Sequence, residues 1–257
     1  MSCHIGIVGS GNLASHLSQG LADAGLKLSF IHSRNSRKGK SLARRAGTGF
    51  LKDVPQAAGT DSLLFICTSD QSIESLFKTY TGKGYTLIHC SGMVSMPDLR
   101  NHGQPTGVFY PVQSFSELLP VVWKDLPVCL EGSDAGVLRS LKSIAHQLGC
   151  KQKVLNSRQR AYLHLAAVFA NNFSNAHYMM AESILKEMNL PFNLLRPLIL
   201  QTALKIQQAS PREVQTGPAR RHDMKSIRSH LELLSHHPEK KKIYKALTAY
   251  LLHPDND

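Results

Sequence analysis

The stretch His4-Ile5-Gly6-Ile7-Val8 runs directly into Gly9-Ser10-Gly11-Asn12-Leu13-Ala14. A short apolar strand that ends on this glycine pattern predicts a tight strand-to-helix turn. Gly9 permits the turn, Gly11 lets a pyrophosphate approach the backbone, and Ala14 packs the new helix close to the sheet. The start of that helix carries N–H groups without intrahelical partners and a partial positive charge, which together suit phosphate.

The next 140 or so residues agree with such a start. LKLSFIH, SLLFIC, YTLIHC and TGVFYPV are further strand candidates, with PVCLEG and KQKVLN following toward the end of the first 155 residues. Helical patterns at 12–24, 71–80 and 134–147 lie between several of them. Alternation of this kind predicts an α/β fold with a parallel, doubly wound sheet, and the near-continuous apolar strands fit burial on both faces. After about residue 156 the strand pattern stops. Helices are expected at 157–188, 191–209, 224–236 and 239–252, with the breaker-rich QTGPARRHD at 215–223 between the second and third. The expected organisation is a doubly wound nucleotide-binding domain at 1–155 followed by an all-α domain at 156–257, which would serve substrate binding and dimerisation.

Several function classes are disfavoured. The five cysteines contain no CxxC pair, and the thirteen histidines show no HExxH spacing, so no disulfide framework and no metal site is expected. No apolar run approaches the ~20 residues that cross a bilayer. The first residues lack a basic segment followed by an apolar one, so a cytoplasmic protein without membrane partners is expected. The formal charge of +12 suits a phosphorylated ligand, a membrane surface or nucleic acid. No nucleic-acid fold motif accompanies the basic runs 34–45 and 238–245, so nucleic acid is not expected.

The end of the second strand bears on cofactor choice. An NAD site usually places Asp or Glu there for the ribose 2′-hydroxyl. This chain has Ser33, Arg34 and Asn35, with Arg37 and Lys38 behind. A guanidinium can bond a 2′-phosphate that a carboxylate would repel, so the preference predicted is NADP. The carboxyl ends of later strands, Thr68-Ser69 and His89-Cys90-Ser91, should face the same crevice, followed by Tyr110-Pro111-Val112-Gln113-Ser114. Cofactor contacts are therefore expected from Gly9, Ser10, Gly11, Asn12, Leu13, Ser33, Arg34, Asn35, Thr68, Ser69, His89 and Ser91. Cys90 reads as a buried, inert thiol.

Residues 163–175, LHLAAVFANNFSN, pose a separate question. At 100° per residue His164, Asn171 and Asn175 fall within roughly 40° of one another. No charged residue occurs from 161 to 181, so the helix is expected to be buried with one polar stripe. Buried polar groups need partners or a wet cavity. The stripe either bonds neighbouring helices or a dimer partner, or it lines a cleft against the reactive ring of the cofactor. His164 is the side chain on it able to exchange a proton near neutral pH.

IGIVGSGNLASHL, HCSG, FYPVQSFS, LHLAAVFANNFSNAHY and QTGPARRHD together resemble an uncharacterised bacterial family. Its members join a Rossmann-like, deazaflavin-type NADP oxidoreductase domain to a C-terminal helical domain of unknown function. The family lies within the 6-phosphogluconate-dehydrogenase-like superfamily, alongside pyrroline-5-carboxylate and ketopantoate reductases and β-hydroxyacid dehydrogenases. The resemblance spans nearly the whole chain and implies a homodimer. It also brings a departure: β-hydroxyacid dehydrogenases carry a lysine one helical turn before the asparagine of this helix, and alignment on Asn172 puts Val168 there. His164, one turn further back, is the candidate substitute. Thr216-Gly217-Pro218-Ala219 resembles in position the loop with which pyrroline-5-carboxylate reductases hold substrate, so Thr216, Gly217 and Arg220 are substrate candidates.

The function expected is NADP(H)-dependent reduction of a C=O or C=N bond in a small, anionic metabolite. His164 would be acid or relay, and Asn171 and Asn175 would orient the substrate. The competing reading, favoured by the missing lysine, is a non-catalytic NADP-binding sensor.

Overall fold

The computed structural model describes residues 4–59, 61–96 and 103–253. The chain divides into two compact units, residues 1–172 and 173–257.

Among the described residues, the first unit is built on eight strands in the order β3-β2-β1-β4-β5-β6-β7-β8. They are β1 His4–Val8, β2 Leu28–His32, β3 Gly49–Leu51, β4 Ser62–Ile66, β5 Thr86–His89, β6 Thr106–Pro111, β7 Pro127–Gly132 and β8 Lys151–Val154. Helices α1 Asn12–Asp23, α2 Ser36–Arg45, α3 Asp70–Tyr80 and α4 Ala135–Gln147 connect them. Within the apolar strands a period of two sorts side chains to opposite faces. Ile5, Ile7 and Phe65 join Leu17 and Leu21 of α1, Leu42 of α2 and Leu141 of α4 in one core. Val8, Leu64 and Ile66 join Ile73 and Phe77 of α3 in the other. Each fully buried Ile, Leu or Phe stabilises by about 1.5–3 kcal/mol, so burial on both faces fixes strand register.

The structure departs from the expected parallel sheet in one pairing. β6 and β7 run antiparallel, Val108 opposite Glu131 and Tyr110 opposite Cys129, whereas the other described pairs are parallel. Two further elements escape a pattern search. β3 has three residues and pairs only with the edge of β2, too short for a periodic signal. The basic run SRKGKSLARR is helix α2, which buries Gly39, Leu42 and Ala43; its start is fixed by Asn35, whose side chain accepts a hydrogen bond from Lys38 N–H at 3.0 Å.

Helix α5, Ser157–Ala167, begins with a reciprocal cap between Asn156 and Gln159. It packs with the sheet unit, so contacts divide the chain at residue 172, while the change of sequence pattern lies at 155/156. Arg160 makes this attachment. Its side chain is 1% exposed, ion-paired to Glu131 of β7 and donating to Val94 O. Ser157 Oγ donates to the same carboxylate at 2.9 Å and accepts from Met96 N–H at 2.9 Å. One network thus ties the start of α5 to β7 and to the segment after β5.

The long helix expected over 157–188 is interrupted by a π turn at Val168–Phe173 before α6 resumes at Ser174–Glu187. A π turn closes on i→i+5 bonds and so delays the helix phase. A uniform 100° wheel therefore loses its register after Val168.

The second unit continues with a 3-10 turn at Phe192–Leu195, then α7 Arg196–Lys205, α8 Pro211–Val214, α9 Met224–Leu233 and α10 Pro238–Leu252. Glu187 bonds His237 Nε2 at 2.9 Å within it. Its buried apolar side chains, among the described residues, are Ala219, Ile227 and Leu234, whereas Leu194, Leu198, Leu200 and Leu204 are exposed. The burial expected for the charge-free helix is also corrected: Leu165 is 52% and Phe169 63% exposed. An absence of charge marks a surface that avoids water; it does not say whether the same chain covers it.

Removing one member of a buried ion pair leaves the other charge uncompensated, at a cost of about 3–5 kcal/mol. Arg160→Ala is expected to destabilise the sheet unit by about that much in urea unfolding. Arg160→Met/Glu131→Leu should cost less than the sum of the single changes. Additive losses would show that the pair carries no coupling.

Candidate functional site

The strand order places the reversal of chain direction between β1 and β4, where doubly wound sheets bind ligands. A cleft of about 1110 Å³ opens there. Its floor is the first strand-to-helix turn. Gly9 has φ +130°, and a Cβ at this position would lie 2.2 Å from Cys67 O, so both the dihedral and the close approach require glycine. Gly9 N–H donates to His32 O at 2.8 Å, which ties the turn to β2. Gly11 caps α1 without any side-chain hydrogen bond and no acid lies in its first turn, so the helix start is left open for an anion.

Gly9, Ser10, Gly11, Asn12, Leu13, Ser33, Arg34, Asn35, Thr68 and Ser69 all line this cleft. Their side chains are partly committed to one another. Ser10 Oγ lies 2.7 Å from Ser33 Oγ, which also accepts from Asn35 N–H at 3.2 Å. Asn35 spends its carbonyl on capping α2, and Asn12 Nδ2 donates to Phe115 O at 3.0 Å. Asn12 therefore faces the cleft mainly as backbone. No Asp or Glu lines the cleft among the described residues, and Arg34 stands at its β2 side. A cradle that a Cβ would fill, an uncapped helix start and a cation in place of a carboxylate fit a dinucleotide with a 2′-phosphate.

His89 and Ser91 lie outside this wall. Ser91 Oγ accepts from Met93 and Val94 N–H at 3.0 Å each and so shapes the turn after β5. His89 is 0% exposed, with its ring against Phe77. Its Nδ1 accepts from Ser91 N–H at 3.2 Å, and Nε2 has no partner among the described residues. Burial, reinforced by the Arg160 guanidinium, lowers its pKa to about 3. Cys90 lies 3.9 Å from Cys67 Sγ; that hydrogen bond, together with burial, pushes its thiol well up.

A second cavity, about 490 Å³, lies within the same unit between the end of β6 and the α5–π turn segment. His164 lines it and packs close against Gly92, where a Cβ would lie 2.4 Å from His164 Cδ2. Its ring centroid is 6.2 Å from that of Tyr110, tilted by 48°. Asn171 and Asn172 are on the wall as well. The side chains of Tyr110, His164, Asn171 and Asn172 form no hydrogen bond among the described residues. Unused donors and acceptors beside Gln113, Ser114 and the apolar Val112, Leu163 and Val168 on one concave wall are how a small-ligand site is built.

Asn175 is exposed in the first turn of α6, in the second unit, and does not line the cavity; the expected Asn171 does, with Asn172 beside it in the π turn. Thr216 and Gly217 precede the turn into α9, with Gly217 at φ +103°. Asp223 caps that helix through Ser226. Arg220 lines a cavity of about 610 Å³ with Arg212, His222 and Tyr250, whose wall does not include Thr216 or Gly217. Tyr110 and Asn172 are the residues that sequence reasoning left without a role. The position of Tyr110 at the carboxyl end of β6 was the available signal. Among the described residues, no three His, Cys, Asp or Glu side chains are grouped to hold a metal, and no helix is long and apolar enough to cross a membrane.

The family model "NADP oxidoreductase coenzyme F420-dependent" matches residues 4–91, and the model "domain of unknown function (DUF2520)" matches 126–251. A Bacteroides fragilis protein provisionally designated an NADP oxidoreductase has 32% identity and a TM-score of 0.89, with 98% of each chain covered. An imine reductase from Myxococcus stipitatus, solved in complex with NADP+, has 14% identity and a TM-score of 0.68, covering 96% of this chain and 92% of that one. The 1-pyrroline-5-carboxylate reductase of Streptococcus pyogenes has 15% identity and a TM-score of 0.62, covering 97% and 98%. At such identities the last two are similar in fold alone. No curated protein matches the sequence.

The depressed pKa of His89 has a consequence for stability. Between about 3 and the ordinary 6.5 the unfolded chain takes up a proton that the folded chain refuses. The contribution is therefore complete above pH 6.5 and lost as pH falls toward 3, by up to ~1.4 kcal/mol per pH unit. Urea unfolding at pH 7, 6, 5 and 4 is expected to show a shallower acid-side loss in His89→Gln than in the wild type. Parallel curves would mean that His89 is not the group responsible.

Proposed function

This chain belongs to the family that joins an NADP oxidoreductase domain of the coenzyme-F420-dependent type to the DUF2520 domain, and from that premise we propose that it reduces a C=O or C=N bond of a small, anionic metabolite. The cofactor is NADP. When bound, it supplies hydride chemistry, and the chain supplies binding, orientation and a proton. The observation that carries the reading is the pairing, within one unit, of an acid-free dinucleotide cleft with a cavity of unpartnered polar side chains.

In this reading the Gly9–Leu13 backbone and the start of α1 hold the pyrophosphate, and Arg34 holds the 2′-phosphate by charge-assisted bonds. Thr68 and Ser69 line the cleft beyond β4. His164, held in place by Gly92 and Tyr110, is acid or relay, and Asn171 orients the substrate with Asn172 beside it. Arg220, with Thr216 and Gly217 nearby in sequence, is the candidate anion contact of the second unit, in the cavity that it lines there. The exposed Leu165 and Phe169 support a homodimer in which a second copy covers them.

Stopped-flow and steady-state oxidation of NADPH and NADH over a panel of keto acids and cyclic imines tests these roles. His164→Ala is expected to lower turnover by ~10²-fold or more, as lost acid catalysis does. Arg34→Ala should reduce the preference for NADPH over NADH by about 10-fold or more. Unchanged turnover or unchanged preference removes the corresponding assignment, and NADPH binding without oxidation of any substrate favours the sensor reading.

Sedimentation equilibrium is expected to give twice the chain mass for the wild type and the chain mass for Phe169→Glu. A monomeric wild type would remove the dimer.

A further inference from the structure

The helix stripe lacks an ammonium. Val168 stands where the resemblance would put lysine, and the π turn begins at that residue. The opposite wall of the cavity offers another proton donor. Tyr110 is the next-to-last residue of β6, at the carboxyl end of the strand, where doubly wound sheets present their ligand-binding groups. It is half-buried, it lines the cavity, and its hydroxyl has no hydrogen-bond partner among the described residues. The His164 ring lies beside its own.

We propose that Tyr110 is a catalytic residue of this chain, donating its phenolic proton to the heteroatom of the substrate while His164 relays a replacement from solvent. The inference rests on the proposed reductase function. For a carbonyl substrate the step is balanced. The cofactor, when bound, would supply the hydride of the new C–H bond, and the C=O π pair would move to oxygen. The Tyr110 O–H bond breaks, and its proton forms the new O–H bond of the product alcohol. The phenolate then recovers a proton through His164. For a neutral imine the same proton reaches nitrogen.

The surroundings suit a donor that stays protonated. Four groups bear on the phenol: Asp70 of α3, Cys129 of β7, and Arg160 and His164 of α5. Burial raises its pKa above the ordinary 10.0, Cys129 and Asp70 add to the rise, and Arg160 opposes it. The donor form is therefore retained at neutral pH, while Arg160 favours the phenolate that the step leaves behind. Arg160 also anchors α5 through Glu131, so the groups that set this tyrosine and its neighbour His164 share one anchor.

The test compares full-length wild type and Tyr110→Phe with NADPH across the same panel, with NADPH affinity measured separately by fluorescence titration. Tyr110→Phe is expected to bind NADPH within about 2-fold of wild type and to lose ~10²-fold in kcat. The alkaline fall in kcat, expected above pH 10 in the wild type, should vanish in the variant. Incorporation of 3-fluorotyrosine at position 110, a more acidic phenol of nearly the same size, should move that fall to lower pH. Retained turnover in Tyr110→Phe beside an active wild type overturns the tyrosine alone, as does an alkaline limb that 3-fluorotyrosine leaves unmoved. Equal losses in NADPH affinity and kcat with the limb intact would make Tyr110 structural and likewise overturn it. A wild type that binds NADPH but oxidises it with no substrate overturns the reductase reading and this inference together.

Discussion

The candidate active region depends on a buried guanidinium. Arg160 reaches from the first turns of α5 to the Glu131 carboxylate and the Val94 carbonyl. Its Nε has no partner among the described residues, so this is a costly arrangement that apolar packing could replace at similar or greater stability. What it adds is position. His164 lies one turn further along the same helix, and anchoring Arg160 sets the rotation and height of α5 so that the imidazole meets Gly92 and Tyr110. The same positive charge adds to the burial that keeps His89 neutral and offsets part of the rise at Tyr110. A helix outside the Rossmann pattern is thereby made part of the sheet's ligand-binding end.

The dinucleotide cleft obeys a simpler logic. Its decisive features are backbone features: a positive φ at Gly9, a close approach to Cys67 O and a helix start left uncapped at Gly11. Side chains there mostly hold one another, as Ser10 does Ser33 and Asn35 does the start of α2. That is why a local motif could name the lining residues so well. His89 failed the same reasoning because a strand end alternates, and its side chain turned toward Phe77 and the core.

The second unit has a different balance. Three buried apolar side chains beside a series of exposed leucines make, among the described residues, a surface whose solvent-avoiding face the single chain leaves open. A charge-free run such as 161–181 looks alike whether its own chain or another one covers it.

The succession of strands along the chain, the phosphate-binding turn, the absence of an acid after β2 and the change from strands to helices were all decided by the sequence itself. Each is a local matter of periodicity, dihedral freedom or charge. Tertiary structure alone decided the antiparallel turn of β7, the π turn and the place of Asn172 rather than Asn175 beside Asn171, the anchoring of α5 by Arg160 and the meeting of Tyr110 with His164. These depend on contacts between residues tens of positions apart, and nothing in a local pattern specifies which distant group a side chain will face.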